Sequence, residues 1–285
     1  MVALRSRRLE SLFGTSLDQL TAAHIQSFVT NQVTEEFDLD FKAELYGRSD
    51  SAKRDLAGDV AALANTAGGV IVVGVDEDDH ARARAADGVE LSEAEKARML
   101  QIVASGVSPM PVLDIISVPF DARQSEVDAD TSDNGESSVG TGFYVVAVPR
   151  SATAPHAVMV NDGFRYPKRN GSTTRYLSEP EVAAAYRDRL AGREAQLRRI
   201  DDLEAEATQR LERDRLPWVM VSLVPDLPGD LDITWAVQQQ FEHETLRRYA
   251  HDIQSGYGVS FQRAMVGRRR LIADGGYQEL KAKDA

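Results

Sequence analysis

The chain predicts an α+β fold, a mixed sheet flanked by helices, and three stretches carry that prediction. Phe37, Leu39 and Phe41 alternate with Asp38, Asp40 and Lys42, a period of two that gives a strand one apolar and one charged face. Leu56, Val60, Leu63 and Ala64 recur at helical spacing behind a Ser/Asp-containing break at 49–51. Val70 to Val75 is a short, almost wholly apolar run, the mark of a strand buried on both faces.

Taken in order, residues 1–17 carry Arg5, Arg7 and Arg8 and read as a flexible leader. Leu20, Ile25 and Val29 predict a helix over 18–29. Gly68 and Gly69 end the next helix, since glycine tolerates the left-handed conformation common there, and the buried strand that follows delivers Asp76 to Asp79. Ser92 with Glu95 three residues on is a capping box that opens a helix over 92–105. Val112 to Phe120 and Phe143 to Val148 read as strands, with the acidic stretch between them as a long disordered hairpin loop. Asn161-Asp162-Gly163 marks the turn of a hairpin over 158–166. Ser178 and Glu181 form a second capping box, with Pro180 in the first turn, and open a helix broken near Gly192 and ending about Leu211.

These signals divide the chain into a main domain over 18–190, a helical connector over 191–213 and a second, smaller α+β module over 214–285, cut short. In the last, a strand begins at Trp218 and a helix-like run spans 238–250; no site is recognisable in it. The apolar stripe of Leu190, Leu197, Ile200 and Leu211 has heptads too irregular to specify a coiled coil, and a homo-oligomer is compatible with it.

The chain has 285 residues, 42% hydrophobic and 27% charged, enough to bury a sizeable core. No apolar run approaches the ~20 residues that cross a bilayer. No secretory signal opens it, and with no cysteine it holds no disulfide, thiol nucleophile or cysteine-ligated zinc. A cytoplasmic location is the expectation. The formal net charge of -12 counts against indiscriminate nucleic-acid binding. It leaves room for a local basic groove, because exposed charges are screened over roughly 8 Å.

The carboxylates are the first candidate site. Magnesium or manganese takes oxygen ligands, and acids from neighbouring elements suffice when waters and a substrate phosphate complete the shell. Glu35 or Glu36, Asp40 and Asp76 qualify by residue type. Strand parity puts Glu36 on the face of Asp40, whereas Glu35 would enter from the preceding loop. Solvated acids are the plain alternative in so acidic a chain. Lys42, on the face of Asp40, could meet a phosphate or simply pair with the aspartate.

Residues 164–175 are the best nucleic-acid surface. Arg165, Lys168, Arg169 and Arg175 stand there with Phe164 and Tyr166 interleaved, Ser172, Thr173 and Thr174 beside them, and no acid. Guanidinium groups suit phosphates and aromatic faces suit bases. Arg268 to Arg270 form a weaker patch. No GxxxxGK[ST] occurs, and Gly68-Gly69 precede a strand rather than a helix, so an ATP site of that type is rejected. The five histidines are scattered, and His156 reads as structural.

Together, Glu35…Asp40-Phe41-Lys42, Ala64-Asn65-Thr66-Ala67-Gly68-Gly69 leading to Asp76, Pro155-His156 and the Tyr166–Thr174 stretch resemble the Schlafen AlbA-type domain over roughly 18–190. The resemblance implies a Schlafen core-like fold. In some members it implies a metal-dependent endoribonuclease acting on transfer or ribosomal RNA, a hydrolase with Mg2+ or Mn2+ held by three acids, here Glu35, Asp40 and Asp76, with Lys42 assisting. The family interval selects Glu35 where parity selects Glu36. Tyr166, Lys168, Arg169, Thr173, Arg165 and Arg175 would then hold nucleic acid, RNA before DNA, in antiphage defence or a stress response. Aspartate at 40 replaces the family's glutamate, and the zinc site of animal members is missing. Many bacterial members look like DNA-binding or regulatory proteins only, so the alternative is a non-catalytic nucleic-acid-binding module or transcriptional regulator.

Overall fold

Valine and glycine build the middle of the sheet. In the computed structural model, which describes residues 4, 6–120, 140–209, 239, 259–267 and 270–277, every residue of strand β2 (Gly68–Val73) is buried. It runs parallel to β1 (Leu39–Lys42), with Asp40 opposite Ile71 and Lys42 opposite Val73. Parallel neighbours need a crossover, and helix α3 (Asp50–Ala64) supplies it. On the other side β2 pairs antiparallel with the nine-residue β8 (Thr141–Pro149), which also pairs with β5 (Val89–Glu90) and β7 (Asp114–Pro119).

Alternation along β2 and β8 sends side chains to two cores. Ile71, Val73, Tyr144, Val146 and Val148 pack against Leu56 and Val60 of α3 and Met99 and Val103 of α4 (Glu93–Gly106). Val70, Val72, Phe143, Val145 and Ala147 pack against Leu9 and Phe13 of α1 (Arg7–Phe13) and Ile25 and Phe28 of α2 (Ala22–Thr30). The sheet thus lies between two helical layers. The leader expected over 1–17 is corrected for residues 7–17: Leu9 and Leu17 are among the largest fully buried side chains, so apolar burial, not the arginines, decides the fate of this segment.

Two glycines are required by close approach. A Cβ at Gly69 would stand 2.6 Å from both the Asp38 carbonyl oxygen and the Leu63 side chain, and Gly68 holds φ +79 at the helix-to-strand turn. Ser49 and Ser92 accept N–H bonds from Ala52 and Glu95 and cap α3 and α4. The reciprocal half of the expected capping box at Ser92 is replaced, because Glu95 pairs with Arg98 and the Ser92 N–H donates to the Tyr144 hydroxyl.

Smaller elements hang on this frame. β3 (Asp76–Glu77) and β4 (Ala83–Ala85) form a two-stranded ribbon. β6 (Val107–Ser108), β9 (Ala157–Val160) and β10 (Gly163–Arg165) form a three-stranded sheet, whose hairpin turns at Asn161 and Asp162 with φ of 49 and 60. β11 (Pro167–Asn170) and β12 (Thr173–Tyr176) form the next hairpin, and α5 (Glu179–Gln209) follows as one helix. It continues through Gly192, where a break was expected. The chain divides into units Met1–Leu227 and Pro228–Ala285. The second contains the antiparallel pair β13 (Val259–Gly267) and β14 (Arg270–Tyr277). Of the loop predicted over 121–142, Thr141 and Gly142 already belong to β8; its residues 121–139, the strand at Trp218, all but residue 239 of the helix over 238–250, and Arg268 and Arg269 lie outside the described residues.

Candidate nucleic-acid interface

The charged face of β1 turns inward, toward α3. Asp40 is 3% exposed, with Oδ1 accepting from Arg169 Nη1 at 2.8 Å and Oδ2 from the Lys42 ammonium. Lys42 Nζ also stands 3.8 Å from Asp59 Oδ2, which accepts from the Tyr46 hydroxyl at 2.8 Å. Two acids, two cations and a phenol thus share one network, buried at Asp40, Arg169 and Tyr46 and half-buried at Lys42 and Asp59. Burial pulls the Lys42 ammonium down, but Asp40 and Asp59 outweigh it and hold its pKa above the ordinary value. Burial and the Asp40 charge push Asp59 up to about 6. Burial, with the charges of Asp59 and Asp40, pushes the Tyr46 hydroxyl well above its usual range.

Arg169 reaches Asp40 because the end of α3 holds β11. The Asn65 side chain donates to the carbonyls of His156 and Pro167 at 2.9 and 2.8 Å, and accepts the His156 N–H at 2.6 Å. Thr66 Oγ1 accepts the Arg169 N–H at 3.0 Å, and Arg169 Nη2 donates to the Glu36 carbonyl at 3.2 Å. The Ala-Asn-Thr stretch is therefore a clamp between helix and hairpin. His156 is buried, with Nδ1 at 2.6 Å from the Pro109 carbonyl, in keeping with a structural role.

The structure corrects one expected nucleic-acid contact. Arg169 is 5% exposed and committed to Asp40, because strand alternation turns Pro167 and Arg169 inward and Lys168 outward. Arg175, opposite Lys168, makes a two-pronged ion pair with Glu181 at 3.0 and 2.6 Å. Tyr166 meets Tyr186 of α5 edge-to-face, with their hydroxyls 3.2 Å apart. Thr173 donates to the Asn170 carbonyl across the turn. Arg165 is exposed and Lys168 half-buried, and neither forms an ion pair with any described residue.

The three acids expected to hold Mg2+ or Mn2+ are placed apart in role. Glu35 is buried and its Oε1 accepts the Phe41 N–H, whereas Glu36 is exposed, because the strand begins at Leu39 and the chain turns before it. Burial, then the charges of Asp40 and Glu77, push Glu35 up to about 7 against the Phe41 hydrogen bond. Past Gly74 (φ +105) the chain leaves the sheet, so Asp76 sits on the β3–β4 ribbon and pairs with Arg84. From the same ribbon, the charge of Glu77 raises Glu35. Asp78 accepts from the backbones of His80 and Arg82 and from the Arg82 guanidinium, which lowers its pKa and closes the ribbon. Among the described residues, no group of three or more acids and histidines is arranged to hold a metal ion. Asp40 is shared by Arg169 and Lys42, and Asp76 is paired with Arg84.

A cleft of about 760 Å³ opens beside the network, lined among others by Lys42, Tyr46, Arg54, Asp59, Thr174 and Tyr176. Sequence reasoning missed Asp59 and Tyr46. A signal for Asp59 existed: it lies three residues after Leu56 and four before Leu63, an acid on the apolar stripe of α3.

The Schlafen, AlbA_2 family model matches residues 35–178, half of the chain. The chain belongs to the Schlafen AlbA_2 family. The matched region runs from Glu35, ahead of β1, to Ser178, just past β12, and so takes in the Asp40–Arg169 pair, the Asn65 clamp and the cleft. Comparison with curated proteins gives no match. Among solved structures, the Schlafen AlbA_2 chain is similar to the DIP2311 protein from Corynebacterium diphtheriae, at 20% identity and TM-score 0.34, over 56% of this chain and 30% of that one. It is also similar to the N-terminal domain of a RecG-related, ATP-dependent DNA helicase-like protein from Nitrosomonas europaea, at 18% identity and TM-score 0.34, over 56% and 96% of the two chains. The chain thus spans under a third of the length of the first of these. Among the described residues, no helix of this Schlafen AlbA_2 protein is long and apolar enough to cross a membrane.

Proposed function

We propose that this Schlafen AlbA_2 domain binds nucleic acid, RNA in preference to DNA, with the hairpin region 163–176 as its contact surface. The observation that carries the reading is the pair Arg165 and Lys168, cations without ion-pair partners among the described residues of a chain with net charge -12. Unpaired cations beside the exposed Phe164 suit a phosphate backbone and its bases. Titration of a labelled transfer RNA against salt tests it. Each of Arg165→Ala and Lys168→Ala should weaken binding and reduce the slope of log K against log salt by about 1. An unchanged slope in both variants removes the hairpin from the interface.

A second reading, a Mg2+- or Mn2+-dependent endoribonuclease acting on structured RNA, draws on one observation, the buried Glu35 carboxyl raised to about 7 beside Asp40 and Glu77. Incubation of transfer RNA with manganese decides it. Cleavage abolished by EDTA and by Glu35→Gln supports catalysis, and intact RNA under all conditions leaves binding alone.

A further inference from the structure

Gly58 has no packing reason to be glycine. It stands inside α3, where glycine weakens a helix relative to alanine. A Cβ built there would meet nothing within 4 Å, unlike one at Gly69. What Gly58 does have is the cleft, whose wall it forms together with Asp55 and Asp59. The bare backbone widens the cleft at that point. The same cleft is lined by Tyr176, 53% exposed and with no side-chain hydrogen bond to a described residue.

We propose that this cleft takes one unpaired nucleotide of a single strand, its base lodged between the Tyr176 ring and the Gly58 backbone. The inference rests on the nucleic-acid-binding reading and adds the class of strand and the place of one base. A base inside a duplex shows only its edges in the grooves, so it cannot offer a face to Tyr176; an unpaired base can. Arg54 lines the cleft, is exposed, and supplies a cation for the adjoining phosphate. Asp55 is exposed and makes no ion pair with any described residue, so its carboxylate is free to accept from an exocyclic amine, which cytosine carries and uracil lacks. The volume, about 760 Å³, falls in the range of roughly 300–1,000 Å³ usual for ligand pockets. A free nucleotide shares this chemistry; the strand is favoured because Arg165 and Lys168 offer further phosphate contacts outside the cleft.

The test uses the full chain, fluorescence anisotropy and urea unfolding. The probes are oligocytidylate and oligouridylate of about 12 nucleotides, a duplex of that length, and cytidine monophosphate. Oligocytidylate should bind about tenfold tighter than the duplex and tighter than oligouridylate, with Asp55→Asn removing the second preference. Gly58→Ala should raise the urea midpoint, since alanine suits the helix, while weakening oligocytidylate about tenfold and leaving the duplex unchanged. Tyr176→Ala should weaken it likewise and Tyr176→Phe should not. A Gly58→Ala chain that binds oligocytidylate as well as the unmodified protein overturns the proposal, as does equal affinity for strand and duplex; in both cases the nucleic-acid reading stands. Cytidine monophosphate binding as tightly as the strand would also overturn it, in favour of a free-nucleotide pocket. Failure of every probe, duplex included, overturns the nucleic-acid reading itself.

Discussion

Arg169 Nη1 stands 2.8 Å from Asp40 Oδ1, a buried pair that ties the hairpin at one end of the family match to the first strand at the other. Because both groups have left water, the loss of one strands the other. Arg169→Met should cost about 3–5 kcal/mol. The double variant Asp40→Leu/Arg169→Met should cost less than Arg169→Met alone, since no unpaired carboxylate then remains. Urea denaturation of the single and double variants gives the coupling, and additive losses would mean that Lys42 alone satisfies Asp40.

Asn65 acts on the same joint from the helix side. Its amide gives two hydrogens, to the carbonyl of His156 just ahead of β9 and to that of Pro167 in β11, and takes one from the His156 N–H. Asn65→Asp turns those donors into acceptors aimed at carbonyl oxygens, so a loss of about 2–4 kcal/mol is expected. Hydrogen exchange should quicken first in 167–176, the segment the clamp holds. Uniform quickening across β2 and β8 instead would show a global effect.

Not all hairpin cations should matter equally for binding. Arg175 is held by both oxygens of Glu181, which compete with any phosphate, whereas Arg165 has no such competitor among the described residues. Arg165→Ala should therefore weaken transfer-RNA binding more than Arg175→Ala does. Glu181→Gln should tighten it by releasing Arg175. Anisotropy titrations at one salt concentration rank the three, and a larger loss for Arg175→Ala reverses the argument.

Period and residue type made the central sheet and the helices around it readable: the all-apolar Val70–Val73 run, the serine caps of α3 and α4 and the Asn161–Asp162 turn follow local rules. Charge pattern was less informative, because a charged residue looks alike in sequence whether it meets water or another charge. Arg169 read as a free cation because its partner Asp40 lies 129 residues away. Asp76 read as the end of the short buried strand, since nothing local says that the chain leaves the sheet at Gly74. The arginines at the start hid Leu9, because Leu9, Leu12 and Phe13 fall at helical spacing over only seven residues, too short a run to mark a packed helix. Such long-range pairings decide which acids and cations remain available to a ligand.

Glu35 ties the site to pH. Its carboxyl rises from 4.5 to about 7, first because it is buried, then because Asp40 and Glu77 bring negative charge near. A carboxyl that holds its proton more tightly when folded favours folding at low pH, and that contribution is lost as pH rises from about 4.5 through 7. Asp59, raised from 3.8 to about 6, acts in the same direction over a lower window. Glu35→Gln keeps an oxygen for the Phe41 N–H and cannot ionise. The variant should therefore match the unmodified protein near pH 4.5 and exceed it by about 3 kcal/mol at pH 8, at about 1.4 kcal/mol per pKa unit. Urea midpoints across that range supply the measurement. A difference between the two proteins that stays constant with pH would mean that Glu35 is already ionised in the folded chain.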